Sequence, residues 1–441
     1  MGRDHPDRPV AVGEPVEGPT GLLNFADFSA DGKSLAVASS DNKVWVWELA
    51  TRRVIALLPH PAPVTEVRFL GAGGRLVSTA EDGTTRVWTL PGPLITEPED
   101  TVFTAAIGSD GRRLLVGADG SDQAVRLWDI ADLRHPVPLS PPMKAPNGKG
   151  LSGAAAQSPD GRTVAAGTLD GPVHLWDVSD PVRPVLLEHA LVGATDIIES
   201  VAFSPDSRTV AVAGDDDMLR LWDVTDPRRP AALATLDDPG GNVFATTFSA
   251  DGRLIAAGSG DKNAYLWDVG DRAHPVRMGP PLGGHTQEVY SVALSPRTGI
   301  LAAGSADKTI RLWDLRDPRH PRPLGKPLTG PNNIIYWLSF SPDGNILAAG
   351  SGDGTVWLWD MRDPERASTY ANLAGLSDSV WMVSFSPDGT IVAAGGADKS
   401  VRLWTTDPAR VAAHICAVAG DPITTTEWSR HLPELPYDPP C

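Results

Sequence analysis

Short apolar runs and turn signals alternate along the chain at a regular spacing. In residues 284–314, an alternation of apolar and polar positions predicts a first strand, and the sequence Ser-Pro-Arg-Thr-Gly after it predicts a turn. The apolar run 300–304 predicts a buried second strand, and the β-branched and aromatic residues of 309–313 predict a third. A Pro-rich stretch then carries a fourth, outer strand near 322–328. The pattern predicts a unit of four short antiparallel strands.

This unit recurs along the whole chain. Nine times an aspartate is followed six residues later by a tryptophan, and the tryptophans stand 40 to 48 residues apart. The pairs are Asp41/Trp47, Asp82/Trp88, Asp122/Trp128, Asp170/Trp176, Asp216/Trp222, Asp261/Trp267, Asp307/Trp313, Asp353/Trp359 and Asp398/Trp404. Self-similarity at this period indicates one supersecondary unit copied along the chain. A unit this short cannot bury its own apolar face, so the copies must pack on each other.

The unit resembles the WD40 repeat, whose signature is a Gly-His pair followed later by Trp-Asp. The best-formed copy has Gly284-His285 and Trp313-Asp314, and the resemblance covers residues 5–407. Trp-Asp begins at Trp128, Trp176, Trp222, Trp267, Trp313 and Trp359. The resemblance implies an all-β fold, a closed β-propeller of about nine four-stranded antiparallel blades.

The resemblance also implies a hydrogen-bonded network in the best copies. In the family, the tryptophan, the turn aspartate, a strand Ser or Thr and the Gly-His histidine bond to one another. The matching residues are His60, Asp82 and Trp88 in the second copy and His285, Ser305, Asp307 and Trp313 in the seventh. The other copies lack the histidine, and we expect water or backbone groups to take its role because buried polar groups need partners.

Three regions follow from the repeat boundaries: residues 1–20, 21–407 and 408–441. Residues 5–19 read as the end of a repeat, and the ninth copy stops after Trp404. We therefore expect residues 1–20 to supply the outer strand of the last blade and to close one nine-bladed ring, which protects sheet edges. Two alternatives stay open, an eight-bladed ring with one copy displaced and a section of a longer array with two rings.

Residues 408–441 leave the repeat pattern. Asp407-Pro408 predicts a helix that ends at Gly420, and a second short helix and a Pro-rich end follow. The tail resembles the ends of WD-repeat sensor regions in bacterial STAND-type NTPases. The residues that carry this resemblance are Cys416, Glu427, Trp428, Pro436, Tyr437 and Cys441. The sequence leaves the state of the two cysteines open.

Charge and composition narrow the possible partners and the location. The formal net charge is −17 and the pI is near 4.9, which disfavours nucleic acid and anionic membranes as partners. The chain has no run of about 20 apolar residues. The first residues lack the apolar run of a signal peptide, and two cysteines fit a reducing compartment. We expect a cytoplasmic protein that forms a monomeric ring.

The residues offer little for catalysis. The first strands of the copies are nearly devoid of carboxylates, histidines and other reactive groups; the exceptions are Asp27, Glu66, Arg68 and Gln157. Paired aspartates follow several tryptophans, but neighbouring arginines and prolines favour charge-balanced loops over calcium sites. We therefore predict no catalytic residues, no metal site and no cofactor, and we expect that the chain is not an enzyme.

One position in each copy changes character along the chain. It lies five residues before the serine, or its equivalent, that ends the first strand. In chain order it reads Asn24, Thr65, Phe103, Gly153, Glu199, Phe244, Tyr290, Tyr336 and Trp381. In WD-repeat proteins this position opens onto the top face near the central channel. The predicted partner-binding surface comprises Phe103, Phe244, Tyr290, Tyr336, Trp337 and Trp381, with Glu199 and Asp215 as a negative border. In the alternative, these rings pack inward as core.

These observations favour a non-catalytic scaffold that binds a protein or peptide through its aromatic top face. The alternative is a trigger-sensing region of a bacterial STAND-type NTPase or another multidomain regulator. An enzyme that uses the propeller channel is a more remote alternative, because the inner strands lack reactive groups.

Overall fold

The structure is a computed structural model, and its described part begins at residue 18 and ends at residue 406. The described ranges are 18–30, 32–49, 52–60, 62–70, 75–89, 94–95, 101–118, 123–133, 136–146, 150–374, 376 and 378–406. The chain divides into two compact units, Met1–Gly92 and Pro93–Cys441, which we call unit 1 and unit 2. We expected one repeat domain over 21–407. The predicted helices of the tail and both cysteines lie outside the described residues.

The described part of unit 1 contains two antiparallel sheets, which we number 1 and 2. Their strands are β1 Leu23–Phe28, β2 Ser34–Ser39, β3 Lys43–Glu48 and β4 Arg53–Pro59 in sheet 1, and β5 Val64–Leu70, β6 Arg75–Ala80 and β7 Thr85–Thr89 in sheet 2.

The described part of unit 2 contains seven antiparallel sheets, numbered 3 to 9 in chain order. Sheet 3 has β9 Val102–Ile107, β10 Arg113–Ala118, β11 Ala124–Asp129, β12 Val137–Pro138 and β13 Met143–Lys144; sheet 4 has β14 Leu151–Gln157, β15 Thr163–Thr168, β16 Val173–Asp177 and β17 Val185–Leu186; sheet 5 has β18 Ile198–Phe203, β19 Thr209–Gly214, β20 Leu219–Asp223 and β21 Ala231–Leu236. Sheet 6 has β22 Val243–Phe248, β23 Leu254–Ser259, β24 Ala264–Asp268 and β25 Val276–Arg277; sheet 7 has β26 Val289–Leu294, β27 Ile300–Ser305, β28 Ile310–Asp314 and β29 Arg322–Leu328. Sheet 8 has β30 Ile335–Phe340, β31 Ile346–Ser351, β32 Thr355–Asp360 and β33 Ser368–Ala374; sheet 9 has β34 Val380–Phe385, β35 Ile391–Gly396, β36 Val401–Thr405 and, at its outer edge, β8 Leu94–Ile95.

Sheet 9 takes its fourth strand from the segment that precedes sheet 3. Strand β8 pairs with β36 through Val401↔Ile95 and Arg402↔Leu94. We had predicted residues 1–20 for this place, and residues 1–17 lie outside the described ones. The strand at the start of unit 2 thus completes the last sheet of the same unit, and Ile95 is buried there.

The repeat tryptophans occupy one register position. Each lies on the third strand of its sheet and pairs with an apolar residue of the second strand. The pairs are Leu35↔Trp47, Leu76↔Trp88, Leu114↔Trp128, Val164↔Trp176, Val210↔Trp222, Ile255↔Trp267, Leu301↔Trp313, Leu347↔Trp359 and Val392↔Trp404. The predicted equivalence of the copies is therefore confirmed at the level of strand register.

The turn between the second and third strands explains the repeated aspartate. In sheet 7, Asp307 Oδ1 accepts hydrogen bonds from Thr309 N at 3.0 Å and Thr309 Oγ1 at 2.6 Å. The next residue, Lys308, has φ +69°, and the equivalent Lys262 in sheet 6 has φ +75°. An aspartate that bonds the backbone two residues on stabilises this tight turn.

The apolar core is divided into layers, each between two consecutive sheets. One further layer joins the last sheet of unit 2 to the first, since Val102 and Leu114 of sheet 3 cluster with Ala393 and Leu403 of sheet 9. Ser384 Oγ also donates a 2.8 Å hydrogen bond to Ala105 O. Every sheet of unit 2 therefore packs against two others of that unit.

The secondary structure of the described residues is almost entirely β. They contain no α-helix, and a short 3₁₀ turn at Pro364–Arg366 precedes β33. No helix in this part of the chain is long and apolar enough to cross a membrane.

Candidate functional site

A β-bulge in the first strand of nearly every sheet creates the site position. The register between the first and second strands shifts at this point, so one residue has no partner on the neighbouring strand. In sheet 7, Val289 pairs with Ser305 and Ser291 pairs with Gly304, which leaves Tyr290 unpaired. A bulge re-aims the side chain of its extra residue. This explains how one position in an otherwise buried strand directs its side chain differently from its neighbours in that strand.

Five bulge residues of unit 2 form a continuous series of ring contacts. Phe244 stacks on Tyr290 with centroids 4.5 Å apart, and Tyr290 meets Tyr336 edge to face at 5.6 Å. Tyr336 lies 4.2 Å from Trp381, and Trp381 lies 5.1 Å from Phe103. The rings therefore contact one another, as the core alternative requires, but each stays half-buried.

These rings line one cavity of about 450 Å³, which we call the aromatic cavity. The predicted site residues along it are Phe103, Glu199, Phe244, Tyr290, Tyr336, Trp337 and Trp381. Asp215, the eighth, is not among the lining residues. Trp337 has a second role, since it also packs against the apolar layer between sheets 6 and 7 and the layer between sheets 8 and 9.

Gly153 occupies the bulge position of sheet 4 with φ +83°. A Cβ atom there would come within 2.7 Å of the Cβ of Phe103. The glycine thus allows Phe103 to lie close against the backbone of sheet 4.

Glu199 is the carboxylate of the aromatic cavity. Burial, together with charge repulsion from the nearby Asp215, raises its pKa to about 7. Within the described residues, no donor bonds this carboxylate. Asp215, by contrast, accepts a 2.7 Å hydrogen bond from Asn242 Nδ2. The cavity therefore has a carboxyl group that is partly protonated near neutral pH.

Several polar atoms along the cavity are buried without a hydrogen-bond partner among the described residues. They are Ser152 Oγ, Gln157 Oε1, Thr246 Oγ1 and Trp381 Nε1. Neither Ser152 nor Thr246 was predicted as a site residue from the sequence. The available signal was the hydroxyl group on an otherwise apolar first strand, since Thr246 lies two residues after the bulge of sheet 6. Such groups fit a cavity that receives a polar as well as an apolar part of a ligand.

The predicted network of the second copy forms a connected chain in sheet 2. Trp88 Nε1 donates to Ser78 Oγ at 2.6 Å, and His60 Nε2 lies 2.7 Å from the same oxygen. Thr84 Oγ1 donates to Asp82 Oδ1 at 2.7 Å and lies 3.5 Å from His60 Nδ1. Thr84 therefore stands between the histidine and the aspartate.

In sheet 7, the side chains of the four predicted residues do not form one connected network. His285 Nδ1 lies 2.9 Å from Asp307 Oδ2, and burial lowers the pKa of His285, which favours a neutral ring. Ser305 Oγ instead donates to Gln287 O at 3.2 Å and accepts from the backbone N–H of Asp307 at 3.1 Å. The rings of Trp313 and His285 lie with their centroids 6.4 Å apart.

A backbone N–H also binds the turn aspartate in several copies. The donor N–H lies 21 residues before the turn aspartate, as in the 3.0 Å bond from Gly240 N to Asp261 Oδ2. The same bond occurs from Thr20 to Asp41, from Thr195 to Asp216 and from Asn332 to Asp353. In sheet 7, which keeps His285, Thr286 N makes the same bond to Asp307 Oδ2, so this bond accompanies the histidine, and our expectation that backbone or water takes its role stays a prediction.

The paired aspartates cap their own loops. Asp314 accepts from the backbone N–H of Arg316 at 2.9 Å and forms an ion pair with its guanidinium. Asp360 and Arg362 repeat this arrangement. In the part of the chain that the structure describes, no group of three His, Cys, Asp or Glu side chains is placed to hold a metal ion.

The sheets and their common tryptophan register define a repeat protein built from four-stranded antiparallel units. Comparison with protein families gives the "WD domain, G-beta repeat" family, WD40, with matches at residues 14–48, 52–89, 186–223, 231–268, 278–314, 322–360 and 368–405. The matches cover more than half of the chain, which therefore belongs to the WD40 family. Sheets 3 and 4 lie largely between the second and third matches.

Curated relatives share the repeats over part of their length. The chain is 31% identical to rat apoptotic protease-activating factor 1 over 162 residues, 36% of this chain and 12% of the relative. It is 28% identical to the target of rapamycin complex subunit wat1 of Schizosaccharomyces pombe, over 37% of this chain and 53% of the relative. It is 26% identical to mouse pre-mRNA-processing factor 19, over 36% and 32%. The chain thus spans about half of these relatives or less.

Proposed function

We propose that this chain is a non-catalytic interaction module whose aromatic cavity binds a segment of a partner polypeptide. The observation that carries this proposal is the series of five aromatic rings, joined by four ring contacts, along one cavity. Half-buried aromatic side chains with few rotatable bonds are common anchors in protein interfaces. WD40 proteins generally serve as interaction scaffolds, and three relatives are a protease-activating factor, a complex subunit and a processing factor by name.

We further propose that sheets 3–9 close into a seven-bladed ring, in place of the nine-bladed ring that we first expected. Two observations support closure: β8 completes sheet 9, and an apolar layer joins sheet 9 to sheet 3. Sheets 1 and 2 would then belong to another array of repeats, which agrees with the two-ring alternative. A closed ring would position the bulge residues of its seven first strands around one axis.

The chemistry of the aromatic cavity supports a binding role over catalysis. Its carboxylate, Glu199, has no histidine, cysteine or second carboxylate among the lining residues with which it could act as an acid–base pair. Thr246 and Ser152 line the cavity without an adjacent base that would activate a hydroxyl group.

The test is selection of linear peptides on the immobilised chain, followed by affinity measurement on variants. Tyr290→Ala and Trp381→Ala should weaken the selected peptides at least about tenfold, which corresponds to the loss of about 1.4 kcal/mol at an anchor. The matched control is Tyr370→Ala, because Tyr370 is 48% exposed on β33 and does not line the cavity. Unchanged affinity in both cavity variants would contradict the proposal. A melting temperature lowered by more than about 10 °C would assign the rings to the core.

A sensor role within a larger regulator is the second candidate, since the match to rat apoptotic protease-activating factor 1 covers 12% of that protein. The resemblance of the tail to STAND-type sensor regions rests on residues outside the described part of the chain. Sequencing of the full reading frame around this chain would test the candidate, and an uninterrupted frame without a nucleotide-binding region would reject it.

A further inference from the structure

We propose that the aromatic cavity receives a positively charged side chain, the ammonium of a lysine or the guanidinium of an arginine, from the bound polypeptide. This inference rests on the proposed function and adds the chemistry of the group that the cavity takes.

The rings supply the first part of the argument. Five aromatic side chains from five sheets line one cavity, and their centroids lie 4.2 to 5.6 Å from their neighbours. The faces of aromatic rings carry partial negative charge, so a cation within about 6 Å of several centroids is attracted by each. Cages of aromatic rings recognise ammonium groups for this reason.

Glu199 supplies the second part. Glu199 lines the same cavity from a strand that is largely buried, and its carboxyl group has no hydrogen-bond donor among the described residues. A wholly apolar occupant would cover this carboxyl group without offering it a partner, which disfavours binding. A cation would pair with it, and a buried charge is stabilised by an opposite charge in contact.

The surroundings of Glu199 supply the third part. None of the described residues that line the cavity is Lys, Arg or His, so no cation of the chain itself neutralises Glu199 there. The strands that pack against β18, namely β14, β15, β19 and β22, contain no charged residue. The groups that interact electrostatically with Glu199 are Asp215 and the phenol of Tyr290.

The charge of the neighbourhood therefore attracts cations. Asp215 adds negative charge beside Glu199, and Asp196 and Asp217 lie close enough to raise the pKa of Asp215; Asp216 also raises it but is itself paired with Arg220 at 2.8 Å. The whole chain has a formal net charge of −17. A field of one sign around a cleft raises the local concentration of the oppositely charged ligand.

The experiment uses three probes that differ at the end of one side chain: N-acetyl-lysine methylamide, N-acetyl-arginine methylamide and N-acetyl-norleucine methylamide. Binding to the full chain is followed by NMR through the indole N–H resonance of Trp381, which Trp381→Phe assigns. At pH 8, lysine or arginine should bind at least about tenfold more tightly than norleucine, a difference that matches one modest ion pair with cation–π contact. Equal or tighter binding of norleucine would overturn the proposal, as would the absence of any Trp381 shift with both cationic probes.

The dependence on Glu199 gives a second, independent readout. Between pH 6 and pH 8 the affinity for the cationic probe should rise about tenfold, because the ionised fraction of a carboxyl group with a pKa of about 7 rises from about a tenth to nearly all. Glu199→Gln, which keeps the size of the side chain, should remove this rise and weaken binding at pH 8. The control is Glu188→Gln, since Glu188 is exposed and outside the cavity. A pH profile that persists in Glu199→Gln would contradict the assignment.

The peptides selected for the proposed function separate the two proposals. If they bind through Tyr290 and Trp381 but keep their affinity when norleucine replaces each lysine and arginine, the cation inference fails and the proposed function stands. If the two ring variants leave peptide binding unchanged, the proposed function itself fails.

Discussion

Units 1 and 2 share the bulge in the first strand but fill its extra position with different residues. In unit 1 the position holds Asn24 and Thr65, and both side chains bond their own unit. Asn24 Nδ2 donates to Val64 O at 2.7 Å, and Thr65 Oγ1 donates to Thr79 O at 3.1 Å. In unit 2 five of seven such positions hold aromatic rings, and a sixth holds Glu199. The residue at the same β-bulge therefore makes local hydrogen bonds in unit 1 and in most sheets of unit 2 lines a cavity.

Strand β1 also differs in burial from the first strands of unit 2, whereas β5 begins at the buried Val64. In β1 of unit 1, Leu23 and Phe28 are 63% and 59% exposed, and Leu22 just before it is 76% exposed. In unit 2 the ends of β18 and β22 that precede the bulge are fully buried. A bulge position can line a shared cavity only where the surrounding strands are packed on both sides, which is the case in unit 2.

The largest effect that would test this comparison is expected at Gly153. Gly153→Ala introduces a Cβ at φ +83° within 2.7 Å of the Phe103 Cβ. We expect a loss of about 3 kcal/mol in the free energy of unfolding, from the left-handed conformation and the overlap together. Chemical denaturation of the full chain measures it.

The matched control combines the change with Phe103→Ala, which truncates the contacting ring. The Cβ of residue 103 remains in that background, but the shortened residue can move away, so Gly153→Ala should cost only about 1–2 kcal/mol there. Strictly additive losses would show that the ring does not depend on the glycine. A neutral Gly153→Ala change would exclude the close approach altogether.

Much of the fold could be predicted from the sequence because it follows from local patterns. The four strands of the copy at 284–314 fall where the apolar alternation and the turn residues indicate, including the outer strand Arg322–Leu328. The position of the outer strand of sheet 9 was predicted wrongly. A two-residue strand such as Leu94–Ile95 has no periodicity, and its pairing with β36 depends on a contact across the whole of unit 2.

The candidate site was predictable only in part for a similar reason. Comparing one position between copies identified Tyr290 and Trp381, because aromatic residues stand out in an otherwise small and apolar strand. It did not identify Thr246, which lines the cavity only because strands of other sheets converge on the same space. Nor could it give the raised pKa of Glu199, which arises from burial and from Asp215, a residue in the turn after β19.

An effect of intermediate size on the free energy of unfolding is expected when the carboxyl group of Glu199 is removed. Because the folded pKa of Glu199 lies near 7, above the ordinary value of 4.5, the folded state holds the proton more tightly than the unfolded state. Ionisation of Glu199 therefore costs stability increasingly as pH rises from about 4.5 to 7. Glu199→Gln should raise the free energy of unfolding by on the order of 2 kcal/mol at pH 8 and by less than about 1 kcal/mol at pH 5.

Unit 1 supplies the comparison for this measurement. Asn24→Leu removes a hydrogen bond of a bulge residue that does not titrate, so its cost of about 1 kcal/mol should be the same at pH 5 and pH 8. Denaturation of both variants at the two pH values measures the difference. If Glu199→Gln were equally destabilising at both, Glu199 would have to be ionised and well paired throughout.

The smallest expected effect is the difference in stability loss between variants of the two histidine networks. Ser78→Ala in sheet 2 removes the oxygen that accepts from Trp88 and lies beside His60, so it should destabilise the protein by about 2 kcal/mol. Ser305→Ala in sheet 7 removes only local bonds to the backbone and should cost about 1 kcal/mol, because Trp313 does not bond Ser305. Thermal unfolding of both variants, with the exposed Ser179→Ala as a control, measures the two losses. Equal losses would mean that the connected network of sheet 2 adds nothing beyond its separate hydrogen bonds, and that the same residues in the two units stabilise their sheets to the same degree.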